Sequence, residues 1–263
     1  APLTQVVIVA HEVAGAGRGL LAVGDTVRSH LGAGWSFATS SQESAITIRH
    51  LLTMTSGLTE QLTYRRPVGA EWWYNSNAYY CLNKVLVKVS GLGLTALCRA
   101  WLMDPIGGAQ NHWAPRPGTT GFSIDPKGDP IEGFFASALD LARIGLLVQR
   151  DGVWNGTRLL PSASLAAATS TSQTRNPSYG HLWWLNGKSS YVNPLQQAKS
   201  GPIFPGAPPD LVCALGLVDQ KIYVSNAHKL VVTRLGDKGT DQASGEVGGF
   251  DVPLWERIQA AMP

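Results

Sequence analysis

Helical and strand-like patterns are segregated along this chain, and that segregation limits the fold more than any other feature of the sequence. Thr47-Ile48-Arg49-His50-Leu51-Leu52-Thr53-Met54 reads as a helix with Thr47 as its cap and Ser56-Gly57 as its stop. Apolar positions 82, 85, 86 and 89 recur at helical spacing through residues 77–90, and Gly91 ends them. A further helix is expected over 94–103, closed by Asp104-Pro105, and a strongly amphipathic one over 137–150, with Ser137 as cap and Leu141, Ile144, Gly145 and Val148 on one face. After residue 180 the pattern changes. Residues 180–185, 210–216, 221–224 and 230–235 are β-like, the last three spaced as an antiparallel meander, and residues 250–262 form a closing helix. Residues 6–31 read as a helix, a turn and a short helix; 32–45 and 114–133 read as loops. The expectation is α+β, an antiparallel sheet flanked by helices, because alternating βαβ units are missing.

Composition removes several function classes. Only 15% of the 263 residues are charged and nine are Trp, which does not describe a disordered chain. Apolar runs such as Val6-Val7-Ile8-Val9-Ala10 and Leu211-Val212-Cys213-Ala214-Leu215 fall far short of the roughly 20 residues a membrane helix needs. The net charge is +3, and Arg65-Arg66 is the one basic pair, so no concentrated stripe for nucleic acid exists. Cys81, Cys98 and Cys213 are far apart, with no CxxC, and read as buried small apolar residues. His11-Glu12 opens like a zinc-protease motif but no second His completes it, so no metal or cofactor is expected. G-x-S-x-G, GxxxxGK[ST] and GxGxxG are all missing. Asn155-Gly156-Thr157 is a glycosylation sequon, with meaning only for a eukaryotic secreted chain.

One run carries a resemblance. Ile46-Thr47-Ile48-Arg49-His50-Leu51-Leu52-Thr53-Met54-Thr55-Ser56-Gly57-Leu58 closely resembles the signature of the serine β-lactamase-like family, which includes class C β-lactamases, D-alanyl-D-alanine carboxypeptidases, related esterases and 6-aminohexanoate-oligomer hydrolases. Other segments follow in the family's order. They are Gly19-Leu20-Leu21 with Asp25-Thr26-Val27, the tyrosine motif Gly69-Ala70-Glu71-Trp72-Trp73-Tyr74-Asn75-Ser76-Asn77-Ala78-Tyr79, the Ala136-Ser137-Ala138-Leu139-Asp140-Leu141-Ala142-Arg143-Ile144-Gly145 helix, Tyr179-Gly180-His181-Leu182-Trp183-Trp184, and Ala214-Leu215-Gly216 through Val224. The resemblance spans nearly the whole chain. It implies one β-lactamase/transpeptidase-like unit over 1–263, with a helical region at approximately 60–175 and an α/β part formed by 1–59 and 176–263.

The resemblance also implies a chemistry. In the family a Ser on Ser-x-x-Lys attacks a carbonyl, the Lys and a Tyr handle its proton, and two backbone N–H groups hold the oxyanion. Carried over, Tyr74 is the catalytic Tyr, and its phenol, ordinarily near pKa 10, would need nearby cations to act as a base. Ser76 would hydrogen-bond the substrate or the Lys. Ala214-Leu215-Gly216 falls on the family's Lys-Thr-Gly strand without its cation or hydroxyl, which weakens the case for holding a β-lactam carboxylate. Leu215, Gly216 and Leu217 would border the oxyanion, with Leu217 N–H as a donor. Trp72, Trp73, Trp183 and Trp184 would line a cleft, although Trp pairs more often pack cores. Asp140 with Arg143 reads as a structural ion pair. Arg49 and His50 read as braces of the fold, and His112 and His181 as loop or strand histidines without assigned roles. No cofactor is implied, the substrate class is a small ester or amide, and a secreted or periplasmic location fits the family.

The nucleophile is the open point. None of the eight lysines has Ser or Thr three residues before it, so these 263 residues contain no Ser-x-x-Lys. The family places that motif on or just before Ala1–Gln5, where only Thr4 stands. The sequence begins Ala-Pro without Met, so a removed leader, a removed longer segment or a trimmed start is expected. Three readings stay open: an N-terminal segment or a second chain carries Ser-x-x-Lys; the chain is a catalytically inactive binding or scaffold relative; or the sequence is imperfect at its start. Under the first, the edge of the sheet would need a covering segment.

Overall fold

The computed structural model describes residues 7, 10, 14–118, 123–237, 239 and 249–262. The expectations for Thr4 and His11 lie outside these residues, as does the side chain of Leu217. Helices come first. Thr26 caps α1 (Val27–Leu31) through Ser29 N–H, and Thr39 with Gln42 forms a capping box on α2 (Ser40–Glu43). The stretch 32–45, expected as plain loop, thus contains a helical turn. The buried Glu43 carboxylate organises it by accepting from Gly34 N–H (2.9 Å), Ser36 N–H (2.9 Å) and Ser36 Oγ (2.8 Å). Thr47 caps α3 (Ile48–Leu52), and Asn75 caps α4 (Ser76–Ser90), which Gly91 ends in a left-handed conformation at φ 69°. Residues 94–103 are split: α5 (Leu94–Cys98) widens into a π-turn over Arg99–Met103.

The middle of the chain is not purely helical. β1 (Asn111–Pro115) pairs antiparallel with β2 (Glu132–Ala136), so both ends of the expected 114–133 loop are strand. Ser137 caps α6 (Ala138–Gln149), as its sequence predicts. β3 (Val153–Trp154) and β4 (Thr157–Arg158) form a hairpin around Asn155 and Gly156, both left-handed (φ 47° and 80°). That Asn-Gly pair, noted in the sequence as a sequon, acts here as a tight turn that needs φ > 0 twice. α7 (Ser162–Ala168) follows.

The late strands form the main sheet. β5 (Trp184–Leu185) precedes an accessory hairpin of β6 (Ser190–Val192) and β7 (Ala198–Ser200); β8 (Val212–Leu215), β9 (Lys221–Ser225) and β10 (Leu230–Arg234) then run as an antiparallel meander. Sheet order is β10-β9-β8-β5. Of residues 180–185 only the last two are strand, because Leu182 sits at φ 57° and turns the chain into β5. α6 packs on β9 and β10, where a Cβ on Gly145 would lie 2.6 Å from Val231 Cγ1, so glycine sets that close approach. On the other face α8 (Asp251–Ala261) docks by setting Trp255 edge-on to Tyr223 at 5.4 Å, while Asp251 accepts the Tyr223 hydroxyl and lies 3.4 Å from Lys221 Nζ. All three cysteines are buried thiols, and burial pushes Cys81 and Cys98 up to about 12. Among the described residues no single helix is long and apolar enough to cross a membrane, and no three His, Cys, Asp or Glu side chains gather as a metal site.

Candidate functional site

The segment after α3 acts as a spine for two other parts of the chain. Leu52 C=O accepts from Leu182 N–H (2.9 Å), which fixes the lead-in to β5. Met54 C=O accepts from Trp73 N–H (2.8 Å) and Thr55 C=O from Gly69 N–H (2.9 Å), which fixes the tyrosine motif. Gly57 C=O accepts from both Arg65 N–H (2.8 Å) and Arg66 N–H (3.1 Å). A Cβ on Gly57 would sit 2.1 Å from Arg66 C=O, at φ 71°, so no other residue fits there. The Arg65 guanidinium lies 3.9 Å over the Trp73 ring and bonds Glu71 at 2.7 Å, which clamps the outer side of the motif. The 46–58 run is therefore structural: it brings residues 69–76 and 182–185 to one place.

What it brings together is an aromatic wall. The half-buried Tyr74 ring stacks on Trp184 (6.4 Å, 20°) and tilts against Trp72 (6.1 Å). Tyr179 stands edge-on to both tryptophans, at 4.9 Å from Trp184 and 5.3 Å from Trp72. Tyr179 is fully buried, and its hydroxyl and the Trp72 indole N–H have no hydrogen-bond partner among the described residues. Burial raises the Tyr179 phenol well above its ordinary range, and its neighbours Tyr74 and Tyr79 push the same way. Of the four expected cleft tryptophans, Trp72 and Trp184 are in ring contact with Tyr74, and Trp73 lies under the Arg65 guanidinium. Trp183, next to Trp184 along the chain, is buried in the core with its C=O accepting from Gly180 N–H (2.8 Å), so packing rather than a cleft is its place.

Ser76 opens α4. Its N–H donates to Glu60 Oε1 (2.9 Å), and its hydroxyl is near enough to the Tyr79 phenol to pull it down against burial. Asn75 orients this helix end: its side-chain oxygen accepts from Ala78 N–H (2.9 Å), and its amide donates to Leu58 C=O (2.9 Å) and Thr59 C=O (2.8 Å). Glu60 would be expected to have a low pKa beside the N–H groups of Ser76 and Asn77. Burial outweighs them and pushes it up. Burial likewise raises Tyr79, against the pull of Tyr80, the Arg116 guanidinium and Ser76. Arg116 lies 4.9 Å over the Tyr80 ring. A Ser76–Tyr79–Tyr80 chain with one carboxylate and one guanidinium thus adjoins the aromatic wall.

The strand side of the site is β8. Trp184 pairs with Cys213, and the strand continues to Leu215, opposite Lys221. Gly216 N–H donates to Gln220 C=O (2.8 Å) and closes the β8–β9 connection. Leu217 then begins a short 3₁₀ turn in which Val218 and Asp219 adopt φ 59° and 56°. Among the expected site residues, Tyr74 and Trp184 are in ring contact; Ser76 is turned to Tyr79; Leu215 and Gly216 follow β8 onward from the partner of Trp184. His181 is buried beside Arg49, and burial with that cation lowers it to about 4. Asp140 is buried and accepts from Ala109 N–H, Gln110 N–H, Asn111 Nδ2 and Arg143 Nη1 (3.2 Å), so it pins a loop as well as pairing. Sequence reasoning placed Tyr79 in the tyrosine motif without a role and did not find Glu60, Tyr80 or Gln196. The last bridges Trp72 C=O and Tyr74 N–H, each at 3.1 Å, from a loop with no periodic pattern.

Comparison with known proteins agrees with this architecture. No curated protein matches the chain. A beta-lactamase from Mycobacterium bovis superimposes with a TM-score of 0.68 at 15% identity, over 99% of this chain and 84% of that one. A penicillin-binding protein homologue from Caulobacter crescentus gives 0.70 at 15% identity, over 99% and 82%. A family VIII carboxylesterase gives 0.71 at 12% identity, also over 99% and 82%. These likenesses establish the β-lactamase/transpeptidase-like α+β fold. The family model described as Beta-lactamase matches residues 6–248, and with the signature spine and tyrosine wall held as above, the chain belongs to the beta-lactamase family.

Proposed function

We propose that this chain serves serine-type acyl transfer on small esters or amides, as one β-lactamase-like unit over 1–263. A serine hydroxyl, on a Ser-x-x-Lys segment outside these 263 residues, adds to the substrate carbonyl. Its proton passes through the Lys and Tyr74 to the departing alcohol or amine, leaving an acyl-serine that water then hydrolyses. Leu217 N–H helps hold the oxyanion, Trp184 forms the wall behind Tyr74, and Ser76 orients substrate or the Lys. The observation that carries this reading is the Tyr74 ring held against Trp184 by the signature spine. The Ala214-Leu215-Gly216 strand carries neither cation nor hydroxyl, which favours uncharged acyl groups over penicillins. A catalytically silent binding protein is the competing reading, favoured by the lack of Ser-x-x-Lys in these residues.

A fluorophosphonate probe followed by intact mass separates the readings. The expectation is no adduct on this chain alone, and a stoichiometric adduct with p-nitrophenyl ester turnover once a Ser-x-x-Lys segment is supplied. Tyr74→Phe should then cost about 10²–10⁴ in kcat. An adduct on the 263 residues alone would place the nucleophile elsewhere and end this assignment. No adduct in either case favours the silent protein.

A further inference from the structure

The β6–β7 hairpin lies in a stretch whose composition predicts nothing, yet its tip touches the tyrosine motif. The turn at 193–197 is complete in itself. Asn193 N–H donates to Gln197 C=O (3.0 Å), Gln197 N–H to Asn193 Oδ1 (2.9 Å), and Gln196 N–H to Asn193 C=O (2.9 Å). Its base is tied down separately, by Asn176 Nδ2 to Val192 C=O and Ser178 Oγ to Ser190 C=O, both 2.9 Å. None of these bonds uses the Gln196 side chain. That residue nonetheless sits at φ 63°, a conformation that Gly or Asn would adopt with less strain. The turn alone gives no reason for a glutamine there. Left-handed strain in a residue of this kind marks a position chosen for its side chain.

The side chain has a specific task. The Gln196 amide is assigned with its nitrogen toward Trp72 C=O and its oxygen toward Tyr74 N–H, which gives two complementary 3.1 Å hydrogen bonds flanking Trp73; the opposite assignment leaves the nitrogen only a 3.5 Å contact with Pro194 C=O. Trp73 N–H meanwhile donates to Met54 C=O at 2.8 Å. Residues 72–74 belong to no sheet, and they are gripped from both edges: by the signature spine on one and by a single amide on the other. The amide replaces the strand partner that would otherwise fix the direction of the Tyr74 side chain.

We propose that Gln196 is a positioning residue: from the hairpin tip it latches the backbone at Trp72 and Tyr74 and so sets the place of the Tyr74 ring against Trp184. Its effect on turnover rests on the acyl-transfer reading above; its effect on the Tyr74 backbone does not. Gln196→Gly removes the latch and relieves the turn. The Tyr74 amide, followed by NMR hydrogen exchange, should exchange about tenfold or more faster, while Tm stays level or rises. Gln196→Glu keeps the acceptor for Tyr74 N–H but loses the donor to Trp72 C=O, so its exchange should fall between. With the Ser-x-x-Lys segment supplied, kcat on a p-nitrophenyl ester should fall about tenfold in Gln196→Gly with KM within about twofold. Unchanged Tyr74 exchange overturns the proposal. So does a fall in Tm with kcat unaltered, which marks Gln196 as a loop anchor only. If the unaltered protein turns over no ester, the acyl-transfer reading fails, and exchange at Tyr74 still decides the latch.

Discussion

Two regions of this molecule place a serine in a polar network, and they differ in an instructive way. At the β9–β10 turn, Ser225, His228 and Asp210 supply the residue types of a hydrolytic triad. Ser225 Oγ donates to Asp210 Oδ1 (2.9 Å) and meets His228 Nδ1 at 3.0 Å, while Asp210 also accepts from Ala227 N–H (2.8 Å). The order is wrong for catalysis. A working triad puts the imidazole between hydroxyl and carboxylate, so that the base takes the serine proton. Here the hydroxyl is in the middle, fully buried, and donates to the carboxylate, so the imidazole does not stand between the two. The network closes a hairpin. At the tyrosine wall, Ser76 has no histidine at all, yet it opens a helix beside Glu60, Tyr79 and the Tyr74–Trp184 stack. Residue inventory favours the first region and geometry favours the second.

The comparison can be broken most forcefully at the spine. Gly57→Ala drives a Cβ into Arg66 C=O at a left-handed φ, and unfolding in urea should show a loss on the order of 4 kcal/mol. Little loss there would mean that the tyrosine wall does not depend on the spine.

Acid sharpens the contrast with a somewhat smaller effect. His181 titrates near 6.5 when unfolded and about 4 when folded, lowered by burial and by Arg49. The unfolded chain therefore binds more protons between those values, and stability falls as pH drops through this window. The loss attributable to His181 should reach about 2 kcal/mol by pH 5 and about 3 kcal/mol by pH 4. His181→Gln should flatten that slope in urea melts at pH 7, 5 and 4; an unchanged slope would place the acid sensitivity elsewhere.

The smallest effect separates the two serines directly. Ser225→Ala should cost about 1 kcal/mol of stability, since it removes the buried hydroxyl's hydrogen bonds to the exposed Asp210 and His228, and leave ester turnover untouched. Ser76→Ala should cost about 1 kcal/mol or less while lowering kcat/KM of the reconstituted enzyme several-fold. The reverse pattern would move the candidate site to the hairpin.

Much of the fold was legible because its signals are local. Thr47, Asn75 and Ser137 cap helices through side-chain bonds to N–H groups three residues on, which spacing alone reveals. The order of the late strands followed from short turns between alternating runs. The helical turn at 40–43 was missed because its organiser, buried Glu43, reads as one more polar residue in a polar stretch. The hairpin at 153–158 is hidden because Asn155-Gly156-Thr157 reads as a sequon as readily as Asn155-Gly156 reads as a turn.

The site divides along the same line. By itself the sequence determined the family signature, the tyrosine motif and the meander, because each is a pattern written within a dozen neighbouring residues. Only the tertiary structure decided that Trp184 and not Trp183 faces Tyr74, that Ser76 turns to Tyr79, that burial raises Glu60, and that Gln196 reaches back more than a hundred residues to hold the motif. Those outcomes depend on which face of a strand is buried, how much water is excluded and which loop lands on which backbone. Such quantities exist only once distant segments meet, and no local pattern encodes them.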